Sequence, residues 1–331
     1  MRALVHDEFG DPATVLSVRD VPLPEPRPGQ VRVRTLLAPI HNHDLWTVKG
    51  DYGYKPSLPA GSGSEAVGVI DALGDGVSGL EVGQRVATGS AFGTWAEYFV
   101  ASASGLLPVS DLVSDEAAAQ LFAMPFSAVT LLDYLDVEPG QWVIQNTANG
   151  MVGRLVAQLA KARGVNVVGI VRRSAAVDEL AAAGVIDVVS TDTDGWREKA
   201  AAFAGEAGFA AAIDSIGGPA STDLAELLGL RGTLVSFGAM SAPGAGQKAL
   251  LEIPVNAAIF KELTVKGFWG RTVSQEMSLT KRAALMREVI DSVTTGRITL
   301  PVDGVFPLAE IASAVDASGT PGRSGKVLLR P

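Results

Sequence analysis

Cysteine is absent from this chain of 331 residues. No disulfide can form and no thiolate can ligate a metal, so a four-cysteine structural zinc site is excluded. Long apolar runs are missing too. No stretch of about 18 apolar residues lacks charges or helix breakers, so no membrane span is predicted. The opening MRALVHDEFGDP has no apolar segment of signal-peptide type. The expectation is a soluble, cytoplasmic protein. Positive charge is in deficit: 27 Lys and Arg stand against 36 Asp and Glu, a net charge of −9. Such a chain is a poor general partner for polyanions, which argues against nucleic acid or an anionic membrane surface. There is no internal repeat and no low-complexity tract.

What is present is a globular composition, 47% apolar and 19% charged, long enough for two domains. The first 120 or so residues are rich in Gly and Pro, with short alternating runs such as QVRVRTLLAPI, EAVGVIDALG, QRVATG and TWAEYFVA. These predict a small β-rich domain. The texture changes near Ser114, where SDEAAAQLFAMPFSAVTLLDYL has helical spacing, a Ser cap and acids in its first turn. From Gln141 apolar strands alternate with helices: WVIQN, MVGRLVAQLAKARG, VNVVGIV, SAAVDELAAAG, DVVS, AAAIDSIG, TLVSFGA and LTVKGFWG. That alternation predicts a doubly wound parallel sheet covered on both faces, an α/β Rossmann-type domain. SLTKRAALMREVIDSVTTG reads as one long helix, and the tail as helix, loop and strand returning to the first domain. The expected division is 1–122 completed by 298–331, with the cofactor domain at 123–297.

WVIQN runs into TANGMVG, so Ala148-Asn149-Gly150-Met151-Val152-Gly153 spells A-x-G-x-x-G between a strand and a helix. Glycine at the second position lets backbone approach a pyrophosphate, and the last lets the helix pack on the strand; the helix N-terminus then faces the phosphates. An ordinary tight turn is the plain alternative, but the strand–turn–helix context favours a dinucleotide. The next strand decides which one. An NAD site offers a carboxylate at that strand's end, about 20 residues beyond the glycines. Here the strand ends GIVRRS, and Arg172, Arg173 and Ser174 suit a dianionic 2′-phosphate instead. NADPH is the expected cofactor.

These residues resemble the zinc-free branch of the medium-chain dehydrogenase/reductase superfamily over nearly the full length, with 2-enoyl thioester reductases of the mitochondrial fatty-acid-synthesis type as the nearest likeness and quinone oxidoreductases as a sister group. The stretches carrying it are GDYGYKPSLPAGSGSEAVGV, GTWAEYFV, VIQNTANGMVG, VVGIVRR, SIGGPAS, VSFGAM and IFKELTVKGFWG. The resemblance implies a GroES-like substrate domain beside the Rossmann domain. It implies nucleotide contacts at Asn149, Gly150, Met151, Val152 and Gly153. It places 2′-phosphate contacts at Arg172, Arg173 and Ser174, and nicotinamide-side contacts at Phe237, Gly238, Ala239 and Met240. Phe268, Trp269 and Gly270 lie at a further strand end, where core packing is the competing role for the two aromatics. A C-terminal Lys326 completes the cofactor set. The family's catalytic tyrosine, in a Gly-x-Tyr stretch, matches Tyr52, with Tyr54 a near competitor. A homodimer is implied as well, and an open sheet's edge strand would supply unpaired backbone for it.

Two positions depart from the family pattern. Met124 stands in FAMPFS where Asn is common, and Asn-Pro-x-Asp becomes His41-Asn42-His43-Asp44. Zinc alcohol dehydrogenases carry Gly-His-Glu where this chain has Gly63-Ser64-Glu65. His41, His43 and Glu65 do not complete a catalytic zinc set, which needs three good ligands and an open position. No metal is expected. Without zinc, polarising an alcohol is hard, whereas reducing a C=C activated by a thioester or ketone needs only hydrogen-bond donors and a proton. The expected activity is NADPH-dependent reduction of an α,β-unsaturated thioester or enone, with Tyr52 holding the enolate oxygen or supplying the α-proton. An NADPH:quinone oxidoreductase is the alternative, and a non-catalytic NADPH-binding protein the one after it.

Overall fold

The computed structural model describes residues 1–241, 248–320, 322–323 and 325–331, and the chain divides into two compact units. Met1–Ala123 and Val293–Pro331 form the first; Met124–Ser292 forms the second. Among the described residues no helix is long and apolar enough to cross a membrane.

The first unit is built around the strand Gln30–Pro39. It runs antiparallel to Ala66–Leu73, Tyr98–Ser102 and the C-terminal strand Lys326–Arg330. Its QVRVR start alternates as a half-buried strand should: Val31 and Val33 point into the core, while Arg32 turns outward to Asp71 at 2.6 Å. Val31, Val33, Trp95, Phe99, Val327 and Leu329 share one cluster, and buried Trp95 satisfies its indole N–H on the Pro39 carbonyl at 3.0 Å. The C-terminal strand also pairs in parallel with Val302–Pro307. Its first residue, Lys326, therefore lies beside Ile40.

Among the described residues, six parallel strands make the sheet of the second unit. Their order is Val188–Ser190, Asn166–Val171, Trp142–Gln145, Phe209–Asp214, Leu228–Ser236, Thr264–Gly267. The sequence direction reverses between Trp142–Gln145 and Phe209–Asp214. Ligands of such sheets bind outside the carboxyl ends at that reversal. The inner strands Asn166–Val171, Trp142–Gln145 and Phe209–Asp214 are apolar and buried because helices Met151–Ala162, Ala175–Ala182, Trp196–Ala204 and Pro219–Leu227 alternate with the strands. Gly164 and Gly184 follow the first two helices at φ +70° and +78°, the left-handed conformation that ends a helix.

One expected element differs. The helical spacing after Ser114 is not one helix. Ser114 caps a short helix Asp115–Ala118, a π-type turn covers Phe122–Phe126, and a second helix runs Ser127–Leu135. Two causes are visible. Pro125 has no N–H for an i−4 bond, and the N–H groups of Phe122 and Ala123 are taken by the Glu65 carboxyl group.

Helix and sheet approach closely at the nucleotide turn. A Cβ on Gly153 would stand 2.9 Å from the Ala148 Cα, and a Cβ on Gly169 in the next strand 2.6 Å from the Ala148 Cβ. Gly169→Ala is expected to lower stability by about 1–3 kcal/mol through overpacking. Adding Ala148→Gly should recover most of that loss. Urea denaturation of the two single variants and the double would read this coupling, and additive losses would contradict the contact.

Candidate active site

The nucleotide turn starts where the strand Trp142–Gln145 ends. Thr147 takes the left-handed conformation at φ +51°, so Ala148 at the fingerprint's first position need not. Gly150 donates to the Thr147 carbonyl at 2.8 Å and begins the helix Met151–Ala162 with no side-chain cap. Its first N–H groups are therefore left to a ligand or solvent, where the helix dipole favours an anion. The close fit of Gly153 on Ala148 brings that helix down onto the sheet. Asn149 holds the turn through its carbonyl, which accepts from the Arg154 Nε at 3.1 Å. These are the features a pyrophosphate requires, so the residues present fit a dinucleotide.

The other carboxyl ends gather on the same edge of the sheet. Asn146 bridges the reversal: its amide donates to Asp214 at 2.6 Å and its side-chain oxygen accepts from Ser215 N at 2.7 Å. Phe237 N donates to the Asp214 carbonyl at 2.7 Å, and a Cβ on Gly238 would lie 2.8 Å from the Ser215 carbonyl. Ala239 and Met240 follow, both exposed. Phe268 is buried against Phe237 and Tyr134, with ring centroids 5.7 and 5.4 Å away, so packing is part of its role. Trp269 is exposed, and Gly270 opens the helix Gly270–Glu276.

Arg172, Arg173 and Ser174 follow the strand Asn166–Val171, all exposed. Sequence reasoning found no acid here, because it looked only along the same strand. The structure brings Asp192 in from beyond the neighbouring strand Val188–Ser190. Its carboxylate accepts from Ser174 N at 2.9 Å and from the Ser174 hydroxyl at 2.5 Å. The adjacency of strands two and three in a doubly wound sheet was the signal that could have exposed it. The Asn146–Asp214 bridge was missed for the same reason: it joins strands 68 positions apart.

The first unit holds Tyr52 and Lys326 in a polar cluster. Helix Asn42–Lys49 starts at His41, whose N–H is capped by Asp44 at 3.1 Å, and ends at Gly50, φ +81°. The chain then folds back so that Asp51 and Tyr52 donate N–H bonds to the Trp46 carbonyl. This sets the Tyr52 ring 5.8 Å from that of His43, which stacks on His41 at 5.1 Å. Tyr54 packs against Phe92 instead. Ser64 donates to Asp44 at 2.6 Å and bonds the His43 Nε2 at 2.8 Å. Beneath, the fully buried His41 meets Glu65 at 2.7 Å. Glu65 also accepts from Phe122 N at 2.5 Å and Ala123 N at 3.1 Å. Among the described residues, Lys326 Nζ donates to the Ile40 carbonyl, at 3.5 Å. Burial, with Lys326 nearby, holds His41 well below its ordinary value, so it is neutral at pH 7.

Comparison with known proteins places the chain. Residues 27–111 match the alcohol dehydrogenase GroES-like domain family, and residues 152–285 the zinc-binding dehydrogenase family. The human mitochondrial enoyl-[acyl-carrier-protein] reductase is 33% identical over 99% of this chain and 88% of its own length. The chain is a medium-chain dehydrogenase/reductase. Among solved structures, a mycobacterial quinone oxidoreductase superposes with a TM-score of 0.83 at 28% identity, covering 100% of both chains. A mycobacterial protein complexed with NADPH gives 0.85 at 27% identity, again over 100% of both.

Although one matched family is named for zinc, this dehydrogenase/reductase has a donor set that does not fit the ion. Ser64 offers a hydroxyl already committed to Asp44 and His43. His41 commits its Nε2 to Glu65, which is further bound by two backbone N–H groups, and the buried His41 Nδ1 has no partner among the described residues. Among the described residues no three His, Asp or Glu side chains are grouped to hold a metal.

The cluster makes a pH signature. Burial pushes the Glu65 carboxyl up to about 8 from an ordinary 4.5, against the lowering pull of the Phe122 and Ala123 N–H groups. Burial, helped by Arg323, pushes the Lys326 ammonium down to about 8 from 10.5. Between pH 4.5 and 8 the folded state holds the extra proton on Glu65, so this contribution is full below 4.5 and is lost as pH rises through 8. Between 8 and 10.5 the unfolded state holds the extra proton on Lys326, so stability recovers across that window. Thermal melts across pH should show Glu65→Gln flattening the falling limb and Lys326→Met the rising one. A falling limb unchanged in Glu65→Gln would refute the assignment.

Proposed function

We propose that this protein is an NADPH-dependent, zinc-independent reductase that adds hydride to the C=C of an α,β-unsaturated thioester. The observation that carries the reading is the hydrogen bond between His41 and Glu65, two residues a metal would need, together with a Tyr52 ring 5.8 Å from the His43 ring that stacks on His41. Likeness to the human enoyl reductase supports the substrate class, and likeness to the NADPH complex supports the cofactor.

Bound nicotinamide supplies the hydride. Residues 149–153 receive the pyrophosphate through backbone N–H groups. Arg172 and Arg173 meet the 2′-phosphate with charge-assisted hydrogen bonds. Phe237–Met240 and Phe268–Gly270 flank the nicotinamide side. Lys326 is assigned a cofactor contact by resemblance alone, and its burial beside Ile40 makes positioning of the His41 segment a further role. When the β-carbon accepts hydride, negative charge gathers on the thioester oxygen and the α-carbon needs a proton. The Tyr52 phenol is assigned to hold that oxygen or deliver that proton. The quinone reading keeps the same cofactor residues and draws on likeness to the mycobacterial quinone oxidoreductase.

We also read the protein as a homodimer. Thr264–Gly267 is the outer strand of its sheet among the described residues, and Val265, Val255, Ile259 and Phe260 are exposed around it. A second copy of this strand would satisfy the free backbone groups and cover the apolar side chains. Val265→Lys is expected to shift the protein from dimer to monomer in size-exclusion chromatography; a wild-type monomer would reject the dimer.

Turnover decides the rest. Following NADPH absorbance, crotonyl-CoA should be reduced in preference to a simple quinone, with NADH a poor donor. Tyr52→Phe should lower kcat by about 10²-fold or more while NADPH affinity stays unchanged. Full activity in that variant would remove Tyr52 from the chemistry. Quinone preference indifferent to Tyr52 would establish the alternative, and no turnover of either would leave a nucleotide-binding protein.

A further inference from the structure

We propose that Asp192 is a positioning residue for the cofactor's 2′-phosphate: it fixes Ser174 and thereby sets Arg172 and Arg173 to meet that phosphate. This rests on the NADPH reading above and assigns the site a residue that the strand's own sequence does not contain.

The Asp192 carboxylate is saturated with donors. One oxygen accepts from Ser174 N at 2.9 Å. The other accepts from the hydroxyls of Ser174 at 2.5 Å, Ser190 at 2.7 Å and Thr193 at 3.4 Å. These bonds, the Ser174 hydroxyl foremost, hold the carboxyl down to about 2, so it is ionised at neutral pH. The clasp joins the loops after two neighbouring strands, which pair through Val171 and Ser190. Thr191 N adds a bond to the Val171 carbonyl at 2.9 Å.

Two consequences follow for the phosphate. The Ser174 hydroxyl has its proton on Asp192, so it presents lone pairs outward and cannot donate to a dianion. Recognition falls to the guanidinium groups. Arg172 makes no ion pair among the described residues, and Arg173 lies 3.9 Å from Glu179, a loose pair on an exposed surface. Both side chains are free to turn to a ligand, while the backbone that carries them is fixed at Ser174. An aspartate serves this purpose better than an amide, because an amide nitrogen would face one of the donors. A carboxylate near a phosphate also repels it. Here four donors offset the charge and bulk water screens it, so positioning outweighs repulsion.

The test is equilibrium binding of NADPH, NADH, 2′,5′-ADP and AMP to wild type, Asp192→Ala, Asp192→Asn and Arg172→Ala. Wild type should bind 2′,5′-ADP more tightly than AMP. Both Asp192 variants should weaken NADPH and 2′,5′-ADP by about tenfold, the scale of one charged hydrogen bond, and leave NADH and AMP unchanged. Arg172→Ala should cost less in the Asp192→Ala background than alone. Tighter NADPH binding in Asp192→Asn would make the carboxylate a repeller and overturn the proposal. Equal weakening of NADPH and NADH would reduce it to a general structural role and overturn it likewise. If wild type fails to prefer 2′,5′-ADP to AMP, the NADPH reading itself falls, and the proposal with it.

Discussion

The Glu65 carboxyl group organises the first unit. It lies at the end of the stretch that leads into the strand Ala66–Leu73, and it binds three things at once: the His41 imidazole and the backbone N–H groups of Phe122 and Ala123. A buried carboxyl is costly unless its oxygens are occupied, and these are. The bond to His41 holds the start of the helix that ends just before Tyr52. The bonds to Phe122 and Ala123 take donors that a continuous helix would have used, so the chain leaves the first unit in a π-type turn. One side chain thus governs both the placement of the phenol and the path to residue 124.

The second unit follows a different constraint, the closeness of backbone to backbone. Ala148, Gly153 and Gly169 meet where the nucleotide helix crosses two strands, and each could be no larger without displacing another. That fit lets the helix N-terminus stand directly over the strand end. Asn146 and Asp214 then tie the two strands on either side of the reversal, so side-chain hydrogen bonds add to the backbone pairing at the binding edge.

Much of this was legible in the sequence where the relevant forces are local. Apolar strands alternating with glycine-closed helices identified the parallel sheet, and A-x-G-x-x-G located its nucleotide turn. Arg172 and Arg173 were visible as neighbours after a strand. Three features were not, because each depends on residues remote in sequence. The helix after Ser114 reads as continuous, since nothing nearby reveals that Glu65 competes for its donors. Asp192 is invisible along the strand it serves. His41 and Glu65 read as too few ligands for a metal, and that they bond each other shows only in the fold. Lys326 was placed by resemblance, and its burial next to Ile40 comes only from pairing of the last strand with Gln30–Pro39.

That pairing has a consequence for how the chain is made. Lys326 and Ile40 are 286 positions apart, yet their strands are direct neighbours. During synthesis the central strand can pair with Ala66–Leu73 and Tyr98–Ser102 early, while its pairing with Lys326–Arg330 waits until that strand is made. The second unit has all its strands and helices much earlier and can close as an insertion within an unfinished host. Loop closure over such a span is slow compared with local folding. The second unit can therefore close before the first one is complete, because the first gains its Lys326–Arg330 strand only after the second has been made.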